Sequence, residues 1–198
     1  LPRDIIFLLL KEANFMRCVW ATISEIDQKY HDEEWGVPCF DDQKLFEILT
    51  LELMQAGLSW STILKKREGF REAFEQFDIL QVSQFTKDDV ETLLQNPKII
   101  RHRQKIEATI QNAKVILQLQ TQYGNFHEFL WSKFEHTPII NHWKTMEEVP
   151  SSTPLTEQLC KEFKKMGFKF MGPTTLYSFL QASGIINDHL DSCPFKHK

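Results

Sequence analysis

Glycine is scarce in this chain, seven residues in 198, and no Asn-Gly or Asp-Gly pair is present to turn a tight hairpin. No strand ladder is evident either, which disfavours a turn-rich β-protein. Cysteine is sparse: four in the whole chain exclude a disulfide scaffold. Long hydrophobic runs are missing. The stretch Ile5 to Leu10 is too short to span a bilayer. Asp4 before it, Lys11-Glu12 after it and the lack of a small-residue cleavage site argue against a signal peptide. We therefore expect a cytoplasmic protein with no membrane association. Excess positive charge is missing too. Twenty-three Lys and Arg against 27 Asp and Glu give a formal charge of −4, which argues mildly against nucleic acid at the level of the whole chain.

What is present is aromatic and helical. Sixteen Phe and five Trp suit packed helices. Asp41 or Asp42 can cap a helix running to about Ala56, with Leu45, Phe46, Ile48, Leu49 and Leu53 at helical spacing. Thr86-x-x-Asp89 opens a short helix like a capping box, and Asn96-Pro97 stops it. A long helix should follow over about 102–122, and Phe126 to Phe134 repeats the period. Thr153-Pro154 is a cap and first-turn pair for a helix that Gly167 ends, and Pro173 opens a last helix closed by Gly184. The expected architecture is all-α in one domain over residues 16–198, with residues 1–15 as an extension outside it.

Basic residues are clustered. Lys65-Lys66-Arg67, then Arg101-His102-Arg103 with Lys105, then Lys161, Lys164, Lys165 and Lys169 lie close in sequence. Each could be an ordinary solvated helix face, or could neutralise phosphates while the rest of the surface stays acidic.

Two further constellations could carry chemistry. Cys18 and His31 lie near one end, His189 and Cys193 near the other. Two thiolates and two imidazoles would fill a closed tetrahedral zinc site and clip the chain's ends together. His197 is a rival fourth ligand, since His189, Cys193 and His197 recur every four residues; buried thiols and surface imidazoles are the plain alternative. The second constellation centres on Glu52, which shares a helical face with Leu45, Ile48, Leu49 and Ala56. A carboxylate on an apolar stripe either reaches water, pairs with a buried cation, or is held for a ligand. Gln55-Ala56-Gly57-Leu58-Ser59-Trp60 follows, with Trp20, Tyr30 and Trp35 upstream. Aromatic plates, a carboxylate and nearby basic clusters suggest a pocket for a flat, electron-poor ring.

These residues also carry a resemblance. Tyr30-His31-Asp32-Glu33-Glu34-Trp35-Gly36 resembles the YHDxEWG signature of the 3-methyladenine DNA glycosylase I family, and Leu51-Glu52 with Gln55 to Trp60 resembles its LExxQAGLSW block. Ile99 to Ile106 and the segments from Gly167 to His189 match further blocks, so the likeness runs from about Met16 to Cys193. The resemblance implies a helix-hairpin-helix glycosylase fold and a structural zinc on Cys18, His31, His189 and Cys193. It implies Glu52 as the essential carboxylate, Trp60 and Tyr30 as stacking and pocket residues, and Trp20 held beside them. Gly57 and Leu58 would enter the gap left by a flipped nucleotide. A hairpin near Pro97 to Lys105, with Arg101, Arg103 and Lys105, would grip phosphate. Asp27 stands where the family often has a second pocket Tyr, and Met54 replaces a polar residue.

The expected activity is extrusion of 3-methyladenine from alkylated double-stranded DNA and hydrolysis of its glycosidic bond by a monomer, without strand cleavage. A non-catalytic DNA-binding module of the same fold would keep the basic hairpin and lose the pocket residues. A catalytic zinc would need an open position for water, which four protein ligands deny.

Overall fold

Side-chain caps set most helix starts in the computed structural model, which describes residues 17–197. After a 3₁₀ turn at Val19–Thr22 come α1 (Glu25–Glu33), α2 (Asp42–Gln55), α3 (Trp60–Lys65), α4 (Arg67–Ala73), α5 (Ile79–Ser83) and α6 (Lys87–Gln95). Next come α7 (Arg103–Tyr123), α8 (Phe126–Ser132), α9 (Pro154–Met166) and α10 (Pro173–Ala182). Asp41 caps α2 through the Lys44 amide, Thr86 and Asp89 form the expected capping box on α6, and Thr153 caps α9 with Pro154 in its first turn. Gly167 ends α9 in the left-handed region at φ 101°. The extension expected at residues 1–15 lies outside the described residues.

The boundaries read from sequence hold to within one or two residues, apart from the ends of α8 and α10. The short helices α1, α3, α4 and α5 had no periodic pattern long enough to announce them. One departure from all-α exists: Ile139–Ile140 (β1) pairs in parallel with Ile186–Asn187 (β2), Ile139 opposite Ile186. Two residues per strand leave no period to read. The pairing matters because it draws the segment after β1 over one mouth of the pocket described below.

Helix α2 is the centre of the molecule. Every residue from Leu45 to Met54 is buried, so it is covered on all sides rather than along one stripe. It packs against α10, α7 and α8, and α9 backs α10. The buried Glu47 is matched by cations: Arg67 Nε reaches it at 2.6 Å, Arg71 at 2.9 Å and Lys44 at 3.3 Å. The two ends of the chain also meet. Gly184, at φ 73°, lies where a Cβ would come within 2.3 Å of Pro38 N, so the backbone at Val37–Pro38 crosses directly over it. Gly36 and Cys39 donate their amides to Gln181 and Ser183 carbonyls across that crossing. No helix among the described residues is long and apolar enough to cross a membrane.

Candidate active site and metal cluster

Crossing of the chain ends places α1, α2, α3 and α10 around a cavity of about 350 Å³. That lies in the size range of small-ligand sites, roughly 300–1,000 Å³. Its walls are aromatic: Trp20, Tyr30, Trp35 and Trp60 all line it. Tyr30 and Trp60 sit 5.0 Å apart between centroids, and Trp20 meets Trp35 edge-on at 5.1 Å. Helix α10 presents Thr174, Tyr177, Ser178 and Gln181, and the segment after β1 closes the cavity with Met146 and Val149 to Ser151.

Glu52 projects into this space from the buried middle of α2. Burial pushes its carboxyl up to about 8. The pairing alternative is answered by Arg67, whose guanidinium goes to Glu34 at 2.7 Å and Glu47 at 2.6 Å. No hydrogen bond or ion pair to Glu52 exists among the described residues. Tyr30 is buried beside it. Burial, then the negative charges of Glu52 and Glu34, raise the phenol well above its ordinary value, so it remains a hydroxyl donor. The cavity can therefore stack a flat ring, accept hydrogen bonds at Glu52, and favour positive charge on what it holds.

Directly behind the aromatic wall, Cys18, His31, His189 and Cys193 bring their ligand atoms within 4.8 Å of one another, all four residues buried. Cys193 Sγ lies 3.6 Å from His31 Nε2 and 3.5 Å from His189 Nδ1, and Cys18 Sγ lies 3.8 Å from His189 Nδ1. Tetrahedral zinc with ordinary bond lengths has ligand–ligand edges of roughly 3.3–3.8 Å. The imidazoles are also turned for a metal. His31 Nδ1 donates to Asp32 at 2.8 Å, which leaves Nε2 bare, and His189 Nε2 donates to the Trp35 carbonyl at 3.1 Å, which leaves Nδ1 bare. Asp32 is held in turn by Arg17 at 2.7–3.0 Å. Burial works against the Asp32 charge, but the bonds from Arg17 and His31 outweigh it and hold the carboxyl below its usual range. The thiols form a coupled pair: the bond to Cys193 and burial push Cys18 up, while the bond from Cys18 and contact with both imidazoles push Cys193 down. A metal would take both sulfurs as thiolates. The cluster fits a metal and comprises four ligands without His197. Of the other cysteines, Cys160 is core, donating to the Met171 carbonyl, and Cys39 is partly exposed.

The cluster and the cavity share walls. Trp35 stacks on His31 at 5.9 Å and meets His189 edge-on at 4.6 Å, and Trp20 meets His31 at 5.3 Å.

Residues expected to face DNA lie beside the cavity mouth and beyond it. Gly57 takes φ 84° just after α2, with open space where a Cβ would point, and Leu58 is 41% exposed. Between α6 and α7 lies the turn of the expected hairpin. Arg101 there is exposed with no ion pair among the described residues, whereas Arg103 is exposed and paired to Glu91 at 2.7 Å. Lys105 turns inward: it is 5% exposed and bonds backbone carbonyls at the end of α2. Of the first basic cluster, Lys66 bonds the Pro97 carbonyl at 2.7 Å and Arg67 belongs to the Glu34–Glu47 network, leaving Lys65 exposed. Asp27 is buried, accepting from Ser24 and Ser61 hydroxyls, and does not line the cavity.

Sequence reasoning missed the α10 wall and the carboxylate behind it. Asp188 is fully buried and accepts from Tyr177 and Gln181 of the cavity wall and from Asn141 and Trp143 beyond β1. A signal existed: Thr174, Tyr177, Ser178 and Gln181 form a polar stripe at helical spacing on an otherwise apolar helix. Asp188 had no such signal, because its partners come from two segments, one of them more than forty residues away.

The profile of the methyladenine glycosylase family matches residues 20–197. A DNA-3-methyladenine glycosylase of Haemophilus influenzae is 48% identical over 180 residues, covering 91% of this chain and 97% of that protein. A crystal structure of 3-methyladenine DNA glycosylase I superposes with a TM-score of 0.87 at 47% identity, covering 90% of this chain and 98% of the other. A variant of 3-methyladenine DNA glycosylase I solved in complex with 3-methyladenine gives a TM-score of 0.88 at 40% identity, covering 92% and 98%.

Proposed function

The chain belongs to the methyladenine glycosylase family, and from that premise we propose that its aromatic cavity receives 3-methyladenine extruded from alkylated duplex DNA and releases it by hydrolysis. The observation that carries the reading is Glu52: a buried, unpaired carboxyl in the wall of a cavity built from four aromatic rings.

The chemistry follows from charge. A base inside the duplex is out of reach, so the nucleotide must leave the stack. Methylation at N3 gives the attached base a positive charge. Stacking on Trp60, with Tyr30 alongside, then gains a cation–π contribution of roughly 0.5–2 kcal/mol. Glu52 accepts a hydrogen bond from the exocyclic amine, and the cation draws its carboxyl back toward the ionised form. Unmethylated adenine has the same amine but no positive charge, so it gains no cation–π contribution and does not draw Glu52 toward the ionised form. When the glycosidic bond breaks, its electron pair leaves with the base and cancels the base's charge; water then takes the vacated sugar carbon. The leaving group is already activated, so the protein supplies extrusion, selection and a dry site.

In this reading Leu58, exposed after the Gly57 turn, fills the gap in the duplex, and the α6–α7 hairpin with Arg101 and Arg103 meets the backbone as a helix-hairpin-helix element; the exposure of Leu58 and Arg101 supports it. Zinc on Cys18, His31, His189 and Cys193 would be structural, since four protein ligands leave no position for water. Those four residues fix Trp20 and Trp35 against the cavity. Strand cleavage is not expected, because no lysine among the described residues lines the cavity to form a Schiff base.

The test is incubation with methylated duplex DNA and identification of the released base. Free 3-methyladenine is the expected product. Binding to that DNA without base release would replace the enzyme with a DNA-binding module.

A further inference from the structure

Lys105 is a buried cation that the reading above leaves without a task. It lies in the first turn of α7, directly after the hairpin, where His102 caps the helix through the Lys105 amide. Its side chain does not point to solvent. The ammonium donates to Met54 O at 2.9 Å and Ala56 O at 2.7 Å. No carboxylate pairs with it among the described residues. Burying an ammonium without a counter-ion is costly unless something is gained in return.

Both partners are carbonyls at the C-terminal end of α2, where helical hydrogen bonds run out and the helix dipole favours a cation. The chain then turns at Gly57, φ 84°, and Leu58 N closes the turn on Gln55 O at 2.6 Å. Nothing packs within 4 Å of where a Gly57 Cβ would sit, so the turn has little side-chain support there. One side chain from α7 thus holds the base of the turn that carries Leu58.

We propose that Lys105 is a positioning residue: it locks the Leu58 turn to the α6–α7 hairpin, so that DNA gripped by the hairpin meets the wedge at a fixed distance. The proposal rests on the reading of Leu58 as the wedge. Lys105 itself does not line the cavity; of the segment it holds only Gln55 does, and Glu52 lies four residues before Ala56, inside α2. Lys105 therefore serves extrusion and not recognition of the free base.

The experiment compares Lys105→Met, Leu58→Ala and the double variant. Each is measured for single-turnover release from methylated duplex DNA, for release from methylated single strands, and for binding of free 3-methyladenine. Lys105→Met should slow duplex release by roughly tenfold or more, the rate equivalent of losing charge-assisted hydrogen bonds. Release from single strands and free-base binding should stay within about twofold of the parent, as for residues acting only on extrusion. The double variant should be no slower than Leu58→Ala alone, because both changes remove one function. Multiplying effects, or equal losses on duplex, single strand and free base, would overturn the proposal. Parent-like duplex release by Leu58→Ala would instead defeat the wedge reading, and the proposal with it. If thermal melting shows that Lys105→Met has not kept the fold, Lys105→Gln, which retains a donor, carries the same comparison.

Discussion

Replacing Glu52 by Gln should make the protein more stable while disabling it, and the gain should grow with pH. The structure gives the size. Burial raises the carboxyl from 4.5 to about 8, with no ion pair to offset the cost of ionising it. The folded protein therefore keeps a proton that the unfolded chain gives up from about pH 4.5 onward, so stability falls as pH rises through this window and levels off above about 8. At roughly 1.4 kcal/mol per pH unit, the cost is under ~1 kcal/mol at pH 5, ~3 kcal/mol at pH 7 and ~5 kcal/mol at pH 9. Gln cannot ionise and leaves a comparable unpaired polar group, so the variant should recover these amounts. For a chain of this length, ~3 kcal/mol corresponds to a rise of roughly 6–12 °C in melting temperature. The assay is urea unfolding of parent and variant at pH 5, 7 and 9, read as a difference so that the cysteines and histidines of the cluster cancel. A gap that does not widen with pH, or a variant weaker throughout, would refute the reasoning. In parallel, 3-methyladenine binding should be abolished or greatly weakened, and near-normal excision would remove Glu52 from the centre of the scheme.

Other outcomes follow from the same geometry. If zinc fills the Cys18–His31–His189–Cys193 cluster as proposed, its chelation should cost stability first, since joining residues 31 and 189 closes a loop of more than 150 residues, for which the cross-link model gives roughly 4–5 kcal/mol. An apo-protein that melts like the loaded one yet has lost catalysis would contradict a structural role. Gly57→Ala should fold with a loss of about 1–2 kcal/mol, because the new Cβ meets only open space and the cost is backbone conformation. Gly184→Ala should fail to fold stably, since its Cβ would lie 2.3 Å from the Val37–Pro38 backbone; equal melting temperatures for the two variants would show that this close crossing is not needed. Borohydride added during turnover should trap no protein–DNA adduct, and a covalent band on denaturing gels would show that a lysine enters the reaction.

Much of this was legible along the chain because it is local. Caps and stops at Asp41, Thr86, Pro97, Thr153 and Gly167 act within one turn, so the long helices could be bounded from neighbouring residues. Cys18, His31, His189 and Cys193 were identifiable by chemistry and by a specific family signature. The short helices α3 to α5 were not legible, since they are held by tertiary packing, α3 against α1 and α2 and α5 against α7, rather than by a period of their own. The β1–β2 pair was invisible for the same reason.

Position in sequence misled most at two basic residues: Arg67 and Lys105 read as surface cations, as did Arg103, which is one. The fold gives Arg67 to Glu34 and Glu47, pairs Arg103 with Glu91, and turns Lys105 into the end of α2. Glu47 and Glu52 show the converse. Both are glutamates on one buried helix; local spacing set Glu52 on the apolar stripe, but nothing along the chain told which of the two would meet cations. Glu47 is ringed by cations and held below its usual range, burial being outweighed by Arg67; Glu52 has none and is pushed up.

By itself, the sequence determined the helical class, because caps, stops and helical spacing act between near neighbours; the ligand set of the Cys/His cluster and the role of Glu52 came from the resemblance to the family, with spacing alone leaving His197 as a rival ligand. Only the tertiary structure decided which charges are spent on internal partners and which are left facing the cavity. It alone brought Asp188 behind Tyr177 and Gln181 and set Lys105 beneath Leu58. The physical reason is that a charge's state depends on burial and on partners within a few ångströms, and those partners come from segments distant along the chain.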